Sequence, residues 1–307
     1  NGKNRSYLES LGLGCSKKDE SAWQAINKAL GIPPLKWSDS LARITWRLHP
    51  KAAIDDVKTR ALSAELSVPQ RKLAMDTLAF TPDTAAAQAM LAVAKDKTSP
   101  IAADALHWLI KRSTDDWSAF GIAEELKKQG VFDPDSAKLI SIVTPPPVPA
   151  DKVPKIEDVL KITGNAKNGA SIAVRCVMCH ELNGQGVEFG PALTGWGKSQ
   201  PTEVITEALL NPSKDIAHGY DGQEIVTKDG VTIHGMVLAE GDILIVRSMG
   251  GQTQFIPKAR IKSRGKLAHS LMLSATQLGM TPQEVADGVA YLRTGGPPVE
   301  KPTAQSH

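Results

Sequence analysis

Cys176-Val177-Met178-Cys179-His180 is the stretch on which the reading of this chain turns. Two thiols three positions apart, followed at once by an imidazole, form the attachment signature of a c-type haem. Each cysteine can make a thioether with one vinyl group of the porphyrin, and the histidine beside the second reaches the iron. A thioredoxin-like pair would need a βαβ setting, whereas the flanks here read as helix and Gly-rich loop. A structural zinc would need four ligands, and Cys15 is the single thiol left. One covalent haem c, held by Cys176 and Cys179 with His180 as an iron ligand, is the expected cofactor.

Outward from the motif, Ala170–Arg175 reads as a helix running straight into the first cysteine. Downstream, Gly184-Gln185-Gly186 and Gly190-Pro191-Ala192-Leu193-Thr194-Gly195 give backbone that can approach a flat cofactor closely. A helix is expected over Pro201–Leu210, stopped by Asn211-Pro212-Ser213. Short runs at Gln223–Asp229, Val231–Leu238, Ile243–Ser248 and Gln252–Pro257 then read as strands. Asp229-Gly230, Glu240-Gly241-Asp242 and Gly250-Gly251 punctuate them as turns. A small antiparallel sheet, about 223–260, is thus expected inside an otherwise helical domain. The last helix starts at Pro282 with Thr281 as N-cap and Glu284 completing a capping box, and stops at Gly295-Gly296.

A reversible electron carrier keeps both axial positions of the iron filled, and thioether ligation raises the potential. The candidates for the sixth ligand are Met236, Met249, Met272, Met280, His218, His234 and His269. Met272, in the irregular link between sheet and final helix, is the expected one, with Met280 and the histidines kept as alternatives. Trp196 is placed near the cofactor.

The segment from about 160 to 293 resembles a c-type haem-binding domain of planctomycete and verrucomicrobia type, a class I cytochrome c-like fold with an inserted β segment. The likeness rests on Gly164-Asn165-Ala166, Cys176–His180, Asn183-Gly184-Gln185-Gly186, Gly190-Pro191-Ala192-Leu193 and Asn211-Pro212-Ser213. It continues through Val226–Gly230, Ile256-Pro257-Lys258, Ser270-Leu271-Met272 and Thr281–Glu284. The resemblance implies that the Pro191 carbonyl accepts from His180, that Leu193 packs on the porphyrin and that Met272 is the distal ligand. Leu273 stands where the family often has proline. It also implies a C-terminal module of a larger dehydrogenase-like protein. The partners would be protein redox partners, a donor dehydrogenase domain or a cytochrome acceptor.

Thr144-Pro145-Pro146-Pro147-Val148-Pro149 reads as a stiff extended spacer. The expected organisation is therefore a helical repeat domain over 1–144, a proline-rich linker over 145–154 and the cytochrome domain over 155–307. In the first of these, helices are expected over 38–48, 51–66, 69–79, 83–95, 100–112 and 116–129. Ala74–Leu78 and Ala105–Leu109 sit at equivalent positions about 31 residues apart, the mark of a HEAT- or armadillo-like α-solenoid, with an irregular bundle as the alternative. Its tryptophans read as packing residues, and no catalytic cluster is visible.

Composition bounds the rest. Among 307 residues, 36 Lys and Arg nearly balance 33 Asp and Glu, so no basic footprint for nucleic acid exists. No apolar run is long enough to cross a membrane. The chain begins at Asn1 without a signal-peptide pattern, which fits a processed protein or a piece of a longer one. A c-type haem implies a periplasmic or otherwise extracytoplasmic place. Three function classes follow: electron transfer by one haem, a haem enzyme or gas sensor with an open sixth position, and an interaction scaffold with a structural haem. The first is preferred.

Overall fold

The computed structural model describes Gly2 and residues 4–296, and the chain divides into two units, 1–137 and 138–307. The first unit is a run of helices: α1 (Arg5–Gly14), α2 (Asp19–Leu30), α3 (Asp39–Leu48), α4 (Ile54–Leu62), α5 (Val68–Ala79), α6 (Thr84–Lys95), α7 (Ala102–Ser113) and α8 (Ile122–Lys128). Local chemistry sets their ends. The Ser38 and Asp83 side chains accept from the first-turn amides of α3 and α6, and a Ser67–Gln70 capping box opens α5. Gly31 and His49 close α2 and α3 in the left-handed region. Helices α1, α3, α5 and α7 pack successively in one layer, while α4 and α6 pack on each other and against α5 and α7. The 31-residue spacing thus brings Ala74–Leu78 of α5 and Ala105–Leu109 of α7 into the same layer. Trp23, Trp37 and Trp117 are buried in this unit, whereas Trp46 and Trp108 are half-buried.

The division between units falls upstream of the proline run, because the residues just before it pair with the second unit. That unit contains a sheet of β3 (Gln223–Thr227), β4 (Thr232–Ala239), β5 (Ile243–Arg247), β6 (Thr253–Pro257) and β7 (Ile261–Lys266), ordered β6-β5-β4-β3-β7 and antiparallel throughout. β4 is long enough to pair with β3 through its first half and with β5 through its second. Ile142 bridges the edge left open beside the first half: its amide donates to Thr232 O (3.1 Å), and His234 N donates to its carbonyl (2.7 Å). The Gln254 side chain holds both backbone groups of Ile140, and Thr144 N donates to His234 Nδ1. Main-chain hydrogen bonds, invisible to composition, thereby attach residues 140–144 to the sheet. Gln277 Nε2 donates to Pro146 O within the proline run itself.

The inserted sheet is one strand larger than expected, running to Lys266 rather than about 260. β7 reads Ile261-Lys262-Ser263-Arg264-Gly265-Lys266 and is exposed beyond its first residue, so it carries no alternation to detect. A short basic strand is the usual way to blunt a sheet edge.

The helices of this unit are α9 (Ile156–Leu160), α10 (Ala166–Cys176), α11 (Trp196–Ser199), α12 (Thr202–Leu210) and α13 (Pro282–Arg293), with a two-stranded hairpin of β1 (Glu181–Leu182) and β2 (Gln185–Gly186). α10 packs most extensively against α13. Their approach is close because position 169 has no side chain: a Cβ there would stand 2.1 Å from Asp287 O and 2.6 Å from Tyr291 Cβ. Asp287 also accepts from Asn165 N (2.7 Å), the N-cap of α10, which keeps its carboxyl below the usual range. Val285, Val289, Tyr291 and Leu292 of α13 are buried with Ala173, Leu182, Ile205 and Leu210. Each such large apolar side chain contributes about 1.5–3 kcal/mol relative to exposure. This crossing fixes the helix that ends at Cys176.

Candidate functional site

Cys176 is the last residue of α10 and the helix extends no further than Val177, so the chain turns tightly through Met178 to His180. His180 N and Cys179 N both donate to Cys176 O, at 2.9 and 3.1 Å. This turn brings both thiols and the imidazole to the same helix end. His180 is 8 % exposed. Its Nδ1 lies 2.6 Å from Pro191 O, and since a carbonyl only accepts, Nδ1 carries the proton. Nε2 is then the unprotonated nitrogen, and it makes no hydrogen bond among the described residues. Burial lowers the pKa of the imidazole, partly offset by the Pro191 bond, so the ring is neutral at physiological pH.

The loop carrying Pro191 is anchored on the motif itself. Phe189 N and Gly190 N donate to Cys179 O, at 3.1 and 2.6 Å, and Leu193 N donates to Glu181 O at 2.8 Å. Gly190 lies flat against the imidazole: a Cβ there would stand 2.3 Å from Cε1 of His180. Glycine is required at this position by contact rather than by backbone conformation.

Both thiols are free, and neither is a thiolate at neutral pH. Burial pushes Cys176 up to about 11, with a further push from Cys179. Burial also raises Cys179, opposed by a hydrogen bond from the Gly250 amide. No group of three or more His, Cys, Asp or Glu able to hold a metal ion occurs among the described residues.

The remaining expected residues separate into two apolar clusters. Leu193, Trp196, Met272 and Met280 pack with Val177 against the α12–α13 core. Cys179, Val187, Tyr220 and Met249 pack with buried Phe189, Met236, Leu267 and Leu271. Leu271 and Met272, adjacent in sequence, therefore go to different clusters, and the Ser270 hydroxyl, which accepts from Met272 N (3.0 Å), shapes the turn between them. Among the alternatives, His218 is exposed. His234 is committed on both nitrogens, to Thr144 N and to Glu224 Oε2 at 3.1 Å each. His269 lines a cavity of about 380 Å³ beside Met272, Leu210 and Pro145.

Two parts of the site go beyond the sequence reading, which named Met249 as a ligand candidate and Gly250-Gly251 as a turn without relating either to Cys179. The β5–β6 turn brings Met249 and the Gly250 amide to Cys179, and a Cβ on Gly251 would meet Val187 at 2.5 Å. The second part is the β1–β2 hairpin directly after His180, whose Asn183-Gly184 pair is the standard signal for a two-residue turn. That signal was present and would have placed the hairpin.

With this geometry in place, the comparison with protein families is specific. Residues 166–235 match the family model for cytochrome c. A cytochrome c-like domain is present there. The match opens at the first residue of α10, takes in Cys176–His180, the Pro191 loop and α12, and ends within β4, ahead of Met272 and α13. No curated protein matches the chain. No helix among the described residues is long and apolar enough to cross a membrane.

Proposed function

We propose that the second unit is an electron-transfer domain that carries one covalent haem c, attached through Cys176 and Cys179 and ligated by His180 and Met272. The observation that carries this reading is the bond from His180 Nδ1–H to Pro191 O. It leaves Nε2 of the buried ring without a proton, the state an iron ligand requires. The donor set fits the group. Two half-buried thiols and an imidazole share one helix end, next to apolar side chains and to a glycine that lies against the ring. When bound, haem c supplies a reversible one-electron couple. The chain's residues then have separate tasks: Pro191 orients the imidazole, Leu193 and Trp196 exclude water, and Met272 offers a soft thioether that favours the reduced iron.

No catalytic residue is assigned. Haem c attachment places the protein outside the cytoplasm, and its partners are redox proteins. The first unit is read as a HEAT-like repeat stack that spaces or docks the redox domain. The likeness of residues 160–293 to planctomycete and verrucomicrobia haem-binding domains supports a place within a larger dehydrogenase-like system.

The test is export of the chain in a host with haem-attachment machinery, followed by mass spectrometry and an alkaline pyridine spectrum. One covalent haem per chain is expected, with a low-spin ferric spectrum showing the long-wavelength band of thioether ligation. A chain exported without haem overturns the proposal. Carbon monoxide binding to the ferrous protein at neutral pH would instead favour an open sixth position.

A further inference from the structure

Glu181, directly after the histidine, grips the Pro191 loop with both its main chain and its side chain. Its carbonyl accepts from Leu193 N at 2.8 Å. Its carboxylate accepts from Gly184 N at 2.5 Å and from the Thr194 hydroxyl, 3.0 Å from each oxygen. The same hydroxyl oxygen accepts from Asn183 N at 2.6 Å. Asn183 and Gly184 are the two residues of the β1–β2 turn, at φ 52° and 77°, and this backbone is what points both amides at the cluster. The hairpin, the Glu181 carboxylate and the Thr194 hydroxyl thus form a closed ring of hydrogen bonds around the residue that follows Leu193. With Gly190 N held by Cys179 O, the stretch from Gly190 to Thr194 is pinned at both ends and Pro191 has little room to move.

We propose that Glu181 and Thr194 form a positioning clamp that holds the Pro191 carbonyl on Nδ1 of His180 and so sets the tautomer and donor strength of the nitrogen offered to the iron. The inference rests on the haem reading above. Neither residue touches the cofactor site; both act through the loop. A strong acceptor on Nδ1–H raises the basicity of the other ring nitrogen, and a more basic ligand stabilises the ferric state. Loosening the clamp therefore raises the reduction potential.

The discriminating variant is Thr194→Val, which keeps the shape and removes the hydroxyl at an exposed position. In the haem-loaded full chain, the equilibrium with a redox mediator is expected to move about three- to tenfold toward the reduced protein, where tenfold corresponds to 59 mV for one electron. In the haem-free full chain, NMR should show the His180 Nδ1 proton exchanging at least about tenfold faster than in wild type. Thr194→Ser, which restores the hydroxyl, should return both readouts. Glu181→Ala acts on the other half of the clamp and should move both in the same direction if the valine variant does not fold. Variants with attached haem whose mediator equilibrium and Nδ1 exchange both equal wild type overturn the clamp alone. A wild-type chain that takes up no haem overturns the haem reading and the ligand role with it, and the wild-type pyridine spectrum separates the two cases.

Discussion

Replacing Gly190 by alanine should disable the site while leaving its sequence motif intact. The added Cβ would stand 2.3 Å from Cε1, 2.6 Å from Nδ1 and 2.9 Å from Nε2 of His180. Carbon atoms pack at about 3.5–4.0 Å, so the ring must retreat by more than an ångström. His180 is buried, and its retreat breaks the 2.6 Å bond to Pro191 O. Overpacking of this kind costs about 1–3 kcal/mol, and a half-buried acceptor left without its donor costs up to a further ~1–3 kcal/mol. The sum is roughly 2–6 kcal/mol. For a unit of this size each kcal/mol lowers Tm by about 2–4 °C. Scanning calorimetry of the full chain should therefore show one transition lowered by roughly 4–24 °C, and export with attachment machinery should yield far less haem-loaded protein. NMR of His180 should show the Nδ1 proton lost to rapid exchange. An alanine variant with wild-type melting, an unshifted His180 ring and full haem content would refute the reasoning, because it would mean that the loop is not held against the imidazole.

Gly169→Ala should be comparably damaging to the second unit, since the new Cβ meets Asp287 O at 2.1 Å where α10 crosses α13; circular dichroism melting should show a loss of about 1–3 kcal/mol, and an unchanged melt would contradict the close crossing. Under the haem reading, Met272→Ala should abolish the thioether band and allow carbon monoxide to bind the ferrous protein, whereas unchanged ligation would transfer the role to another side chain. In the first unit, burial of His49, aided by Arg47, lowers its pKa from 6.5 to about 4. The unfolded chain therefore binds the proton first, so stability present above pH 6.5 declines as pH falls toward 4. The full shift is worth roughly 3 kcal/mol at most, less for partial solvent access. His49→Asn, which tolerates the left-handed backbone at φ 48°, should flatten that pH dependence in urea titrations from pH 7 to pH 4, and an equally steep decline in the variant would place the effect elsewhere.

The helices of the first unit were legible because Ala, Leu, Lys and Glu dominate and prolines interrupt the run; their ends were less so, since α4 spans Ile54–Leu62 rather than 51–66 and the caps at Ser38, Ser67 and Asp83 are seen in the structure alone. α13 was legible from its capping residues, with Thr281, Pro282 and Glu284 in their expected roles. The core strands announced themselves through Ile225, Ile233, Leu244, Val246 and Ile256, all buried on one face. β7 did not, since an exposed strand leaves no hydrophobic signal. The proline run was visible as stiff chain, but its attachment to the sheet was not, because it depends on backbone groups of Ile140, Ile142 and Thr144 that every residue type possesses.

The chemistry of the site divides in the same way. Cys176-Val177-Met178-Cys179-His180 alone specifies the two thiols and the imidazole, since local spacing at a helix end decides which side chains share a face. That Nδ1 is the protonated nitrogen, that Gly190 must be glycine, and that Glu181 and Thr194 hold the loop are consequences of the tertiary fold. They depend on distances between residues 10 to 13 positions apart in a non-repetitive loop, where no periodicity constrains the path. Whether Met249 or Met272 stands on a given side of the motif is a longer-range matter still. It is settled by where the sheet and the α10–α13 crossing deliver those segments, and packing of distant elements is the one thing a local pattern does not encode.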